Sequence, residues 1–227
     1  MKFTAIVLAV CSTLFSTSFL NAQTTVVTDF TTVADGRVQF SGTLGQTLFT
    51  AEEDISTLMS GPSNISDGLF EFDLSSLPSD AVVTSAELLF RTAATISNTS
   101  GTAPVEFFSY TGDGIVDITD ESAAATSIAS IDFPTTIGNN EPVSVAISNL
   151  SVIESVLADT NVDDFFGVRS ETINFVDFRV DSLESTDLNA APAALRLTFE
   201  TSAVPEPSSL TMIGALGLGF LARRRRN

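Results

Sequence analysis

Between Gln23 and Val204 the chain has no histidine, no cysteine, no lysine and no tryptophan, and a single tyrosine, Tyr110. Without histidine or cysteine in that stretch there is no Ser-His-Asp arrangement, no thiol nucleophile and no ordinary transition-metal site. Without lysine there is no Ser-Lys dyad and no Schiff base. The only cysteine, Cys11, lies near the N-terminus, so no disulfide braces the body, and burial of apolar side chains must supply its stability. Positive charge is scarce too. All 28 acidic residues fall between Asp29 and Glu206, where the only basic residues are the five arginines Arg37, Arg91, Arg169, Arg179 and Arg196, a net charge of −23. Such a field repels nucleic acid and anionic lipid, so a nucleic-acid partner is excluded.

The two ends are apolar and read as sorting segments. Met1 and Lys2 form a short positive region, residues 3–20 are apolar and Ser/Thr-rich, and Leu20-Asn21-Ala22 ends in a small residue. That order predicts a secretory signal peptide over residues 1–22, cleaved near Ala22. At the other end, residues 201–227 hold Val204-Pro205-Glu206-Pro207, an apolar stretch over residues 208–222, and Arg223, Arg224, Arg225 and Arg226. The thirteen residues from Leu210 to Ala222 give about 20 Å of helix. Adding Ser208 and Ser209, with the arginines reaching back to the headgroups, predicts a short transmembrane helix with its basic end in the cytoplasm. Everything before Val204 then lies outside the cytoplasm.

Proline-bracketed glutamate, short Gly-rich apolar helix and arginine cluster, in that order, resemble the PEP-CTERM sorting signal of Gram-negative bacteria. The resemblance implies that Pro205, Glu206 and Pro207 are recognised by an exosortase, a membrane-embedded cysteine protease that cuts nearby. The chain would be anchored by its C-terminal helix before processing, then released or transferred to the cell surface or extracellular matrix. Many such proteins accompany extracellular polysaccharide.

The intervening residues 23–200 are long enough for one domain with a sizeable core. Period-two alternation dominates: Phe70, Phe72 and Leu74 alternate with Glu71 and Asp73, and Ala86, Leu88 and Phe90 alternate with Glu87 and Arg91. Each stretch predicts a half-buried strand. Further strands are expected over residues 26–30, 37–40, 55–59, 105–110, 143–147, 165–169, 173–180 and 195–199, with a bulge near Phe175. One helix interrupts them. Asn149 is its expected N-cap, and Leu150, Val152, Ile153, Val156 and Leu157 form an apolar stripe that should plug one end of the fold. Ten short strands and one short helix predict an all-β, antiparallel β-sandwich of jelly-roll type. The stretch from Gly68 to Phe90 resembles the DNRLRE-type domains, jelly-roll modules of secreted bacterial proteins allied to carbohydrate-binding modules. Phe166-Gly167-Val168-Arg169-Ser170 is similar to a Gly-Phe-Arg segment of those domains, with Val168 in place of the aromatic. This resemblance implies fold more than activity.

Three groups of residues can carry chemistry. Asp113, Asp117 and Asp120 lie in a Gly-rich stretch that offers oxygen ligands of the kind calcium prefers, although a glycine turn into a short helix capped by Thr119 explains the same residues. Glu52, Glu53 and Asp54 are adjacent carboxylates before a strand, a calcium candidate or a solvated loop. Tyr110, Arg169 and Arg179 are the residues able to stack on or grip a sugar, since most of the fourteen phenylalanines of this stretch alternate toward the core. Among so many acids some pair always stands at the separation a glycosidase needs, so their number does not point to catalysis. The sequence predicts a secreted, exosortase-sorted, non-catalytic surface or matrix protein, structural or adhesive and associated with exopolysaccharide. The alternative is a carbohydrate-binding module with a defined glycan ligand.

Overall fold

The computed structural model describes residues 23–42, 45–61, 64–98, 102–159, 164–172, 175–187 and 189–202. Among them run twelve strands and two helices: β1 (Gln23–Ser41), β2 (Gly45–Phe49), β3 (Asp54–Gly61), β4 (Asn64–Asp73), β5 (Val82–Arg91), β6 (Ser97–Asn98), β7 (Thr102–Thr111), α1 (Ile118–Glu121), β8 (Thr126–Pro134), β9 (Pro142–Ala146), α2 (Ser151–Ala158), β10 (Phe165–Glu171), β11 (Val176–Asp181) and β12 (Ala194–Ser202). The all-β expectation holds. Thr25–Thr201 form one compact unit.

Pairing is antiparallel throughout the described ladders. β4 organises the sheet. It takes β1 along one edge, and along the other it takes β3 near its start and β10 near its end. From β3 the sheet continues to β11 and β6, and from β10 to β7 and β8. β1 also joins β12, which leads to β5 and β9. A bridge between Thr92, just after β5, and Val180 of β11 brings the ends of this order back toward each other, so the sheet nearly closes around its interior.

That interior is aromatic. Phe70 (β4), Phe90 (β5), Phe107 (β7), Phe133 (β8) and Phe178 (β11) meet with ring centroids 4.8 to 6.5 Å apart in stacked, tilted and edge-on pairs. Each such buried side chain contributes roughly 1.5–3 kcal/mol, in a body with no disulfide to help. α2 seals one margin, with Ile153 in the core and Leu150, Val152, Val156 and Leu157 packed against it.

β4 departs from the half-buried strand that its alternation predicts. Its even residues, Phe70 and Phe72, face the main core, while Leu69 on the opposite face joins Val38, Tyr110 and Val116 in a second, smaller core. The residues between β7 and β8, together with β2, supply the cover: Leu48, Ala123 and Ala125 pack onto it. Glu71, expected to point into solvent, is therefore fully buried, with 0% exposure.

Other departures have local causes. The two strands expected over residues 26–30 and 37–40 are one strand, β1. Its alternation is broken by a bulge between Thr32 and Ala34, so that the Thr32 end faces the main core and Val38 the small one. β8 went unpredicted because a second bulge, where β8 pairs with Phe107 and Phe108, buries both Ile128 and Ala129 and destroys the period of two. β2 and β6 are short and polar. The described part of the expected strand over residues 173–180 is β11, which begins at Val176 and pairs with β3 without a register shift; Phe175 just before it is 53% exposed, and residues 173–174, on which the expected bulge falls, lie outside the described residues. Leu150, not Asn149, occupies the N-cap of α2, and Asn149 instead accepts a hydrogen bond from the Ser151 hydroxyl at 2.8 Å. α1 is capped by Asp117, not Thr119.

Candidate functional site

The small core lies on the outer face of the β1–β4–β10–β7 sheet, and the polar residues around it are the chemically distinctive part of the body. β7 ends at Thr111, and the chain turns back over Glu71 through Gly112, Asp113 and Gly114. A Cβ on Gly112 would stand 2.7 Å from the Glu71 carboxyl carbon, and Gly114 has φ +86° with the Phe165 ring against it, so this turn requires both glycines. Glu71 Oε2 accepts the backbone N–H of Gly114 at 2.6 Å and of Asp113 at 3.2 Å. Glu71 Oε1 and the Tyr110 hydroxyl are buried without a well-formed hydrogen bond. Burial pushes the Glu71 carboxyl above its ordinary range, reinforced by Asp120 and Asp113 and opposed by the Gly114 amide. Burial, with the charges of Glu71 and Asp120, likewise raises the Tyr110 phenol.

Tyr110 is no sugar platform. It is 3% exposed, and its ring covers Gly167 on the facing strand so closely that a Cβ there would come within 2.4 Å of it. Asp113, Asp117 and Asp120 fold the loop itself. Asp113 accepts the Ile115 amide at 2.9 Å, Asp117 accepts the Thr119 amide at 2.6 Å, and Asp120 accepts the Asp117 amide at 2.7 Å. Arg169 holds this loop down. Its Nη1 donates to the carbonyls of Glu121, Asp120 and Ala123, its Nε donates to Glu171 at 2.5 Å, and its guanidinium sits 5.8 Å from the Phe108 ring centre.

One row along the same face, acids stand side by side across strands. Glu171 (β10) pairs with Glu106 (β7), and Asp67 (β4) lies one residue beyond the Ser170–Gly68 pair, next to Glu171. Like charges on adjacent strands are unfavourable in a sheet. Asp67 and Glu171, with Glu121, Phe40 and Ile65, wall a cleft of about 380 Å³. Asp67 is only 7% exposed, and its carboxyl makes no hydrogen bond among the described residues. Burial, then the charges of Glu171 and Glu121, push it up to about 7, with Arg169 pulling the other way.

The remaining candidates lie elsewhere and face different partners. Glu52 forms a two-bond pair with Arg37, at 2.6 and 3.0 Å, beneath the Phe49 ring. Glu53 accepts from the Thr186 hydroxyl at 3.1 Å. Asp54 meets Arg179 at 3.5 Å, while Arg179 pairs more closely with Asp177. Among the described residues no three acidic side chains converge in a way that would hold a metal ion. The structure thus brings Tyr110, Arg169, Asp113 and Asp120 to one face and leaves Glu52, Glu53, Asp54 and Arg179 outside it. Sequence reasoning missed Phe40, Asp67, Glu71 and Glu171. The one available signal was Gly68 between Asp67 and Leu69, a strand glycine of the kind that admits a close neighbour.

Residues 203–226 match the PEP-CTERM protein-sorting motif. The match spans Pro205, Glu206, Pro207, Arg223, Arg224, Arg225 and Arg226, all of which lie outside the described residues, as do residues 1–22. The motif marks a chain for exosortase and for export to the surface or extracellular space. No curated protein matches the chain. Among the described residues no helix is long and apolar enough to cross a membrane.

Proposed function

We propose that this chain is a non-catalytic protein of the cell surface or extracellular matrix, structural or adhesive, that associates with exopolysaccharide after exosortase processing. The sorting motif at residues 203–226 carries this reading. The body supports it in two ways. Its carboxylates are mostly engaged in holding loops and pairing arginines, and its DNRLRE-like stretch from Gly68 to Phe90 supplies β4 and β5, two strands that do not pair with each other but meet in the core through Phe70 and Phe90. The reading includes a leader removed near Ala22 and a tail helix that anchors the chain until it is cut.

The test is processing in a host with and without its exosortase. With the enzyme, mass analysis of the extracellular or surface-bound product should place the new C-terminus close to Pro205-Glu206-Pro207. Without it, the chain should stay membrane-associated and uncut. Identical size and fractionation in both hosts would contradict the proposal.

The alternative, a module with a defined glycan ligand, is favoured by one observation: the cleft of Phe40, Ile65, Asp67, Glu121 and Glu171 presents an accessible aromatic ring beside hydrogen-bond acceptors.

A further inference from the structure

We infer that the cleft walled by Phe40, Ile65, Asp67, Glu121 and Glu171 binds an amino sugar carrying a free ammonium group, with the ammonium between Asp67 and Glu171 and the apolar ring face against Phe40. This deepens the proposed association with extracellular polysaccharide and rests on it.

Four observations set the chemistry. Asp67 is 7% exposed, opens into the cleft and accepts no hydrogen bond from the described residues, so its carboxyl is open to donors from a ligand or from the water that the ligand displaces. The neighbouring charges are carboxylates: Glu171 beside Asp67, Glu106 across from Glu171, and Glu121 at the cleft wall. The one nearby cation among the described residues, Arg169, is committed to Glu171 and to three loop carbonyls. A positive donor therefore gains more there than a neutral hydroxyl. Finally, Phe40 (36% exposed) and Ile65 give the cleft an apolar wall, and cross-strand pairing holds the two side chains side by side.

Other occupants fit less well. A bare metal ion has no use for Phe40 and Ile65, and among the described residues no three acids converge on one. An acidic sugar meets the field of a body with net charge −22 over residues 23–202, 27 acids against five arginines. The body contains no lysine, so no side chain of a second copy supplies an ammonium. Aromatic ring and carboxylates together are a setting in which an organic ammonium binds through both charge and ring face. The volume suits a small ligand unit.

The body spanning residues 23–202 contains both apolar cores and is the form the processing reading leaves outside the cell, so it is the protein to use. Calorimetric titration at 0.15 M salt would compare a glucosamine tetramer, its N-acetylated counterpart and an oligolysine of equal charge. Saturable binding of the glucosamine tetramer, at least tenfold tighter than the acetylated one, is expected. Asp67→Asn, nearly isosteric, should weaken it about tenfold, or about 1.4 kcal/mol. Phe40→Ala, at a half-exposed site, should weaken it several-fold, and near-UV dichroism would confirm that both variants fold. Equal binding of both tetramers, no effect of Asp67→Asn, or oligolysine matching glucosamine would each overturn the inference. If the body retains native exopolysaccharide but not glucosamine, the inference fails while the glycan reading stands. If it retains neither, both fail.

Discussion

Glu71 shows how a single residue can be read correctly for local structure and wrongly for environment. Between Phe70 and Phe72 it has the phase of an outward polar residue, and it does face away from the main core. What the alternation does not reveal is that a second layer lies there, made from residues far along the chain. The carboxyl is consequently the anchor of that layer, receiving two backbone N–H groups through Oε2. Replacing Glu71 by Ala would leave those donors unpaired and open a cavity, and should cost roughly 2–4 kcal/mol in urea unfolding. Glu71→Gln keeps an acceptor and removes a buried charge, so its cost should stay within about 1 kcal/mol. If both variants were equally destabilised, the charge would matter more than the hydrogen bonds. Tyr110 carries the same lesson: an aromatic on a strand reads as a possible platform, and only the cross-strand partner Gly167 explains why it lies flat and buried.

At the level of elements, legibility follows the integrity of the repeat. β10, β12 and the part of β5 from Ala86 to Phe90, beyond the bulge where Val83 pairs with Phe199, keep a period of two, and their inward residues, such as Leu88, Val168 and Leu197, are in the core as the sequence predicts. β1 and β8 carry bulges, and there the reading split one strand and missed the other. The missed β8 matters to the site, because with β7 it frames the excursion of residues 112–125 that covers Glu71. α2 was legible from its stripe although its cap was misplaced, since helical spacing depends on several side chains and the cap on one. Ile153 is the residue of that stripe that enters the core. Ile153→Ala should cost about 2–5 kcal/mol, whereas Glu154→Ala, on the exposed face, should change stability by less than about 0.5 kcal/mol. Equal effects in urea titrations would show that α2 does not seal the core through Ile153.

For the whole molecule, the unusual property is the number of acids that folding removes from water. Asp35, whose Oδ2 accepts the Leu183 amide at 2.8 Å, and Asp67 are both pushed up to about 7, mainly by burial. Glu71, Asp120 and Asp181 are raised as well, again chiefly by burial. None of this was legible, because each acid occupies a position where an outward or loop carboxylate is the ordinary reading. The consequence for pH has a definite sign. Below the ordinary carboxylate range both folded and unfolded chains hold these protons. As pH rises toward 7 the unfolded chain releases them first, so stability falls, and the loss levels off once the folded groups also ionise. Asp29, held low by its pairing with Arg196, acts in the opposite sense only below about pH 4. Thermal melting of the body across pH 4 to 8 therefore tests most directly whether this protein is built around buried carboxyls. The melting temperature should be highest near pH 4–5 and fall by roughly 10 °C or more by pH 7.5. A melting temperature that is flat, or that rises over that interval, would contradict the buried second layer.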